Sequence, residues 1–372
     1  MQLWTTPDEL WMNLDDLTAP DVVVGETDEQ WVGVPVLNLT DHPALDTTAR
    51  VVGDDRWEET TTLHRSLPGG AVTQVAFRLV PRAAFGAPET DVPVRVRIES
   101  RSMRWFYERE LSVDVLARGE PYRRTFRSGI DGSAQYYGVR PPPDGARGEG
   151  DALVLALHGA SVQAIGHASA YSGREWAWVV APTNRRPFGF DWEVWGRLDA
   201  LEVLEDAARA FGTDPTRVYV TGHSMGGHGT WQLGTLFPGR FAVVAPSAGW
   251  ASFYTYVGAA RPTGAFARSM ASSDTPRYAS NLARRRVYVL HGDADDNVPV
   301  REARDMVALL TPIVATDMLE YHEEPGAGHW WDGEAAPGAD CVDWLPIFEA
   351  MEASALDPTE LEFDFPLPPR PG

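Results

Sequence analysis

Lysine is absent from this chain of 372 residues, so its 32 basic residues are all arginine, set against 53 acidic ones for a formal charge of -21. That balance excludes the basic stripe of a nucleic-acid-binding protein. It is read as a solubilising surface that also disfavours anionic polymers and membranes. The missing lysine itself is read as coding bias and carries no chemistry. A lone cysteine, Cys341, excludes an intrachain disulfide and a cysteine metal cluster. It sits in an apolar stretch and is expected to be buried. No apolar run reaches the ~18 residues of a membrane span, and no charged-then-apolar leader follows Met1. The cytoplasm is preferred on that ground; the compartment is otherwise unknown, with secretion open if a leader has been removed. The histidines show no His-Glu-x-x-His pairing, and the aspartates at 293–296 lack the glycine and downstream glutamate of a calcium loop, so neither metal nor cofactor is expected.

What is present divides in two. From 20 to 117 the pattern is of successive strands separated by turn signals: Trp31 to Leu39, Asp46 to Val52, Glu58 to Ser66, Val72 to Val80, Val92 to Glu99 and Trp105 to Leu116. Alternation of apolar and polar residues along Val72–Leu79 and Val92–Ile98 places one face of each strand in a core. Short strands at this spacing predict a small immunoglobulin-like sandwich over 1–122. Beyond about residue 125 the order becomes strand, helix, strand, helix. Ala152–Leu157 and Trp178–Ala181 are continuous apolar runs, and Arg197–Phe211 carries leucine and alanine at helical spacing. Further strands are expected at 217–220, 241–245, 287–290 and 317–321, with helices from the serine motif to about Phe237, over Glu302–Leu310 and over Cys341–Met351. This predicts an α/β unit over 123–357 with a mostly parallel sheet covered on both faces. A proline-rich tail, 358–372, cannot continue a sheet interior and reads as an edge or docking segment.

Chemistry concentrates in the second part. Gly222-His223-Ser224-Met225-Gly226 follows a strand and opens a helix, the context in which small residues two before and two after allow a sharp turn around an exposed serine. Ser224 is therefore the expected nucleophile. A serine hydroxyl needs a base and donors for the oxyanion it creates. The acid is expected after a later strand, in His291-Gly292-Asp293-Ala294-Asp295-Asp296-Asn297; Asp295 is preferred, with Asp293 and Asp296 as alternatives. The base is expected in Gly326-Ala327-Gly328-His329, with His322 as the competitor to His329. For the oxyanion, the amide of Met225 and one from the loop His158-Gly159-Ala160-Ser161 are expected, Ala160 first and Ser161 next. His158, His223 and His228 read as packing residues. Aromatics crowd the expected mouth, and Trp192, Trp250 and Trp330 are expected to contact substrate.

From about Ser133 to Asp357, some three-fifths of the chain, the sequence resembles the prolyl-oligopeptidase-like and polyhydroxybutyrate-depolymerase-like branch of α/β-hydrolase serine esterases. The resemblance lies in His158-Gly159-Ala160, Asp214 to Tyr219, the elbow Gly222–Gly227 running into Gly229-Thr230-Trp231, His291 to Pro299, and Gly328-His329-Trp330. It implies acyl transfer to water through an acyl-serine, on acetyl, feruloyl or hydroxyalkanoate esters or on peptides. The chain departs from true oligopeptidases in having a short β region in place of a large propeller, which favours an ester over a peptide. The expected function is thus a cofactor-free carboxylesterase acting on a small or polymeric ester, with no nucleic-acid partner. A serine peptidase is the first alternative, and a binding module with an inactive hydrolase half the second. The sequence does not fix the oligomeric state.

Overall fold

A computed structural model of the chain describes residues 9–102, 105–145, 148, 150–185, 191–332 and 338–360. The chain divides into two compact units between Tyr137 and Gly138. The expected tail beyond residue 360 lies outside the described residues.

In the first unit the period-two pattern becomes strands β1 (Leu10–Met12), β2 (Val22–Val23), β3 (Gln30–Asn38), β4 (Ala44–Val51), β5 (Thr60–Leu67), β6 (Val72–Leu79), β7 (Glu89–Ser100), β8 (Trp105–Leu116) and β9 (Tyr122–Arg127). One sheet has the order β1-β3-β6 and a second β2-β8-β7-β4-β5. Pairing is antiparallel except between β2 and β8. Val32 lies opposite Phe77 and Val34 opposite Val75. Their side chains join Val94, Val96 and Ile98 of β7 in one buried cluster. The alternation thus turns one face of each sheet inward, and each side chain so buried contributes about 1.5–3 kcal/mol of transfer free energy. Trp57, fully buried, donates its indole N–H to the carbonyl of Pro93 at 2.9 Å.

Strand β10 (Ala134–Arg140) carries the chain across the division. The second unit continues with β11 (Ala152–Leu157), α1 (Ala164–Ser169), β12 (Ala177–Pro182), α2 (Trp195–Phe211), β13 (Val218–His223), α3 (Met225–Leu236), β14 (Val243–Ser247), α4 (Phe253–Tyr256), α5 (Gly264–Ser269), β15 (Arg286–Gly292), α6 (Arg301–Leu310), β16 (Leu319–Glu324) and α7 (Leu345–Glu352). Six strands run parallel in the order β12-β11-β13-β14-β15-β16. Residues of β11 to β14 are buried throughout, as the unbroken apolar runs of β11 and β12 require in a sheet covered on both faces. The turns that follow β13, β15 and β16 leave the sheet at its carboxyl edge, where α/β sheets place their ligands.

Several boundaries move. α1 is not visible in the sequence pattern, because Gly166 and Ser169 dilute its apolar face. The last helix begins at Leu345, not Cys341, with Pro346 in its first turn, where the missing N–H is not needed. A short 3-10 turn over Thr316–Met318 delays the final strand to Leu319. α2 ends as its sequence requires, with Gly212 in the left-handed conformation at φ 67° and its N–H bonded to Ala208.

Candidate active site

Ser224 stands between the last residue of β13 and the first of α3, at φ 60° and ψ -120°. A side chain at positive φ meets its own backbone, so such a residue persists only where its surroundings over-determine it. Here they do. The Ser224 amide donates to the Ser247 carbonyl of β14 at 2.9 Å, and its carbonyl accepts the first α3 bond from His228 at 3.0 Å. Space forbids a wider turn: a Cβ on Gly222 would lie 2.6 Å from the Gly226 and Leu157 carbonyl oxygens, and one on Gly226 would lie 1.7 Å from the latter.

The loops after β15 and β16 bring an imidazole and a carboxylate to this serine. His329 Nε2 is 2.9 Å from Ser224 Oγ, and His329 Nδ1 is 2.8 Å from Asp295 Oδ2. The two loops are laced together: Ala294 donates its amide to Ala327 at 2.9 Å, and Gly326 donates to Asp293 Oδ1 at 2.6 Å. Gly292 lets them approach, since a Cβ there would sit 2.4 Å from the Ala327 carbonyl oxygen. Asp295 Oδ1 accepts from the amides of Asn297 and Val298, both at 2.9 Å. Burial drives the Asp295 pKa upward, but the donors from His291, His329 and Asn297 outweigh it and hold the carboxyl well below the usual range. An ionised carboxylate behind an imidazole, with a hydroxyl in front, is the arrangement that removes the hydroxyl proton during attack.

The alternatives separate by geometry. Asp293 is exposed and serves the Gly326 amide, and Asp296 is exposed as well. His322 lies on β16, 2.8 Å from Glu324 Oε2 and stacked on Trp344. Neither aspartate is hydrogen-bonded to His329. His223 is fully buried beneath His329, ring centroids 5.0 Å apart, and burial with His329 nearby pushes its pKa down to about 3, so it stays neutral.

The loop after β11 comes close to the nucleophile, because a Cβ on Gly159 would lie 3.6 Å from Ser224 Cβ. Ala160 and Ser161 are exposed on that loop, Ser161 at φ 64°. His158 is buried with its Nδ1 2.9 Å from the Gly159 carbonyl, and burial lowers its pKa. Met225 is buried at the start of α3, its sulfur accepting the Asp191 amide at 2.9 Å.

Two expected substrate contacts are corrected. Trp192 is fully buried, its indole N–H donated to the His158 carbonyl at 3.2 Å and its ring packed where a Gly229 Cβ would be. Trp250 is also buried, stacked between His228 and Tyr256 at ring distances of 4.9 and 4.7 Å. Both rings are enclosed by protein. Trp330 differs: it is 60% exposed, edge-on to His223 at 5.4 Å.

Glu193 carries no sequence signal and proves to be a junction. Its carboxylate faces His228 Nε2 at 3.3 Å, accepts from Gln232 Nε2 at 3.4 Å and from the Ser273 hydroxyl, while His228 Nδ1 faces the Trp250 carbonyl at 3.0 Å. Burial raises the Glu193 pKa, and the bonds from His228 and Ser273 bring it below the ordinary value. The cluster joins residues 35 to 80 positions apart, which no local pattern reveals. Among the described residues no group of three or more histidines, cysteines or carboxylates is placed to hold a metal ion, and no helix is long and apolar enough to cross a membrane.

Residues 183–340 match the model of the prolyl oligopeptidase family. An uncharacterized secreted protein of Arthroderma benhamiae is 30% identical over 212 residues, which cover 52% of this chain and 22% of that protein. The chain thus spans about a fifth of the length of this curated relative. Among solved structures, a thermostable esterase superposes with a TM-score of 0.47 at 15% identity, covering 92% of this chain and all of that one. A ferulic acid esterase superposes at 0.44 and 16%, covering 57% of this chain and 92% of that one.

Proposed function

Taking the chain as a serine hydrolase with an α/β-hydrolase catalytic unit, we propose that it cleaves carboxylic esters through an acyl-serine intermediate on Ser224. The observation that carries this reading is the continuous relay from Ser224 Oγ through His329 to Asp295, at 2.9 and 2.8 Å. Ser224 Oγ bonds to the ester carbonyl carbon as His329 Nε2 takes its proton. The carbonyl oxygen, now negative, is held by the amides of Met225 and Ala160, with Ser161 next in the same loop. His329 then returns the proton to the alcohol oxygen as the carbon–oxygen bond breaks. Water repeats the sequence and frees the acid and Ser224. Asp295 stays ionised throughout and stabilises the imidazolium. The exposed indole of Trp330 supplies a flat wall for an aryl or long-chain acyl group.

The family match favours peptides as a second reading. Against it stands the first unit, a pair of small β sheets and not a propeller that would screen peptides by size. The relative's description as a secreted protein removes the ground for preferring the cytoplasm. The test is a panel of nitrophenyl acetate and butyrate, a feruloyl ester and peptide anilides, run on the wild type and on Ser224→Ala. Ester turnover is expected, falling about a millionfold in the variant. Peptide cleavage without ester turnover overturns the ester reading, and activity that survives Ser224→Ala overturns the mechanism.

A further inference from the structure

Beneath the carboxylate that orients His329 lies a second imidazole. His291, near the end of β15, has a side chain only 1% exposed, and its Nε2 is 2.9 Å from the Val298 carbonyl and 3.2 Å from Asp295 Oδ2. A carbonyl oxygen only accepts, so Nε2 carries the hydrogen, which lies between two acceptors. The other ring nitrogen, Nδ1, is buried with no hydrogen-bond partner among the described residues. An orphaned buried nitrogen is a cost that an apolar side chain of the same size would not incur. The donor at Nε2 is what distinguishes this residue from a packing one.

We infer that His291 is a positioning residue for the triad acid: its Nε2–H donates to the same Asp295 oxygen that receives His329, fixing that oxygen and moderating its pull on the His329 imidazolium. The inference rests on the triad reading above. Around Asp295, two amides donate to Oδ1, His329 Nδ1 lies 2.8 Å from Oδ2, and His291 Nε2 approaches the same oxygen at 3.2 Å. The carboxylate can neither rotate nor concentrate its charge on His329 alone. Among the described residues, titratable groups that act on His291 include His223 on β13 and Glu323, which lies opposite it on β16 and is bound in turn by Arg304 at 2.6 and 2.8 Å. Removing the donor makes the Asp295 oxygen a stronger partner for the charged form of His329, so the imidazolium should persist to higher pH.

The rate at which a fluorophosphonate labels Ser224, followed from pH 4 to 9, reads the His329–Asp295 pair without any assumption about the natural substrate. Three variants decide: His291→Phe, which fills the volume without a donor; His291→Gln, whose amide nitrogen reaches the Nε2 position; and His291→Asn, whose amide stops short of Asp295. In His291→Phe the acid limb of the profile should move up by about half a pH unit or more, with the native circular-dichroism spectrum kept. His291→Gln should restore the wild-type limb. If His291→Phe does not fold, His291→Asn should show the same shift. A rate lowered equally at every pH with an unmoved limb would mean a structural role only and overturns the inference. A shift in His291→Gln as large as in His291→Asn also overturns it. If the wild type is not labelled at Ser224 at any pH, the triad reading fails and this inference with it.

Discussion

Replacing Gly226 by alanine tests whether the elbow geometry, and not merely the presence of Ser224, makes the site. The added Cβ would stand 1.7 Å from the Leu157 carbonyl oxygen, 2.6 Å from its carbon and 3.2 Å from the His158 carbonyl oxygen, all backbone atoms at the end of β11. None of these can rotate away, so the start of α3 must retreat from β11 by about 1.5 Å to regain ordinary contact. That displacement carries Ser224 and the Met225 amide away from Gly159 and His329. A misplacement of about 1 Å costs on the order of 100-fold in rate, and overpacking of this kind costs about 1–3 kcal/mol in stability. Gly166→Ala is the control: inside α1, with nothing within 4 Å of its Cβ, it should leave turnover alone and stabilise the protein by about 0.5–1 kcal/mol. Turnover of a nitrophenyl ester and urea unfolding measure both effects. Gly226→Ala with wild-type turnover would refute the argument, because it would mean that the elbow can widen without disturbing the serine.

Asp199 is buried, and that burial pushes its carboxyl up to about 6 despite the Arg185 amide at 2.9 Å. A carboxyl that binds its proton more tightly when folded stabilises the fold as pH falls from about 6 to 4, and above pH 6 it leaves a constant deficit. Relative to Asp199→Asn, which does not titrate, the wild type should therefore gain on the order of 3 kcal/mol between pH 7 and 4; parallel stability curves would contradict this. The tryptophans near the mouth should divide by burial. Trp192→Ala should lose about 3–5 kcal/mol of stability, whereas Trp330→Ala should stay within about 0.5 kcal/mol and raise KM for aryl esters about fivefold with kcat nearly unchanged. The opposite pattern in melting temperature and kinetics would show that Trp330 packs the fold and Trp192 meets the ligand.

The β-rich first part and the alternation of strands and helices beyond it could be read in the sequence because each rests on a local regularity: alternation along Val92–Ile98, unbroken apolar runs at Ala152–Leu157, helical spacing in α2. Ser224, Asp295 and His329 could be singled out for a similar reason, since each lies in a short glycine-containing loop directly after a strand. What stayed hidden depends on where a residue sits in three dimensions. The sequence places Trp192, Trp250 and Trp330 beside the segments expected to form the mouth, but does not say that the first two are buried and the third exposed. Glu193 and His228 are 35 residues apart, and nothing near either hints at the other. His291 was visible only as the marker of an acid loop; that its ring turns back under Asp295 is a property of the turn through Gly292 to Val298.

The strand that delivers His329 is the least protected of those feeding the site. All six residues of β16 are only half-buried, its parallel partner is β15, and it ends the strand order. Ser224, by contrast, rides on β13, whose residues are all buried. Local opening at such a margin takes less free energy than melting the interior. Gentle heating or dilute denaturant should therefore silence the enzyme while its spectrum still looks native. A shelf life judged by turnover would be shorter than one judged by structure, and a tether across the β15–β16 margin would lengthen the first without changing the second.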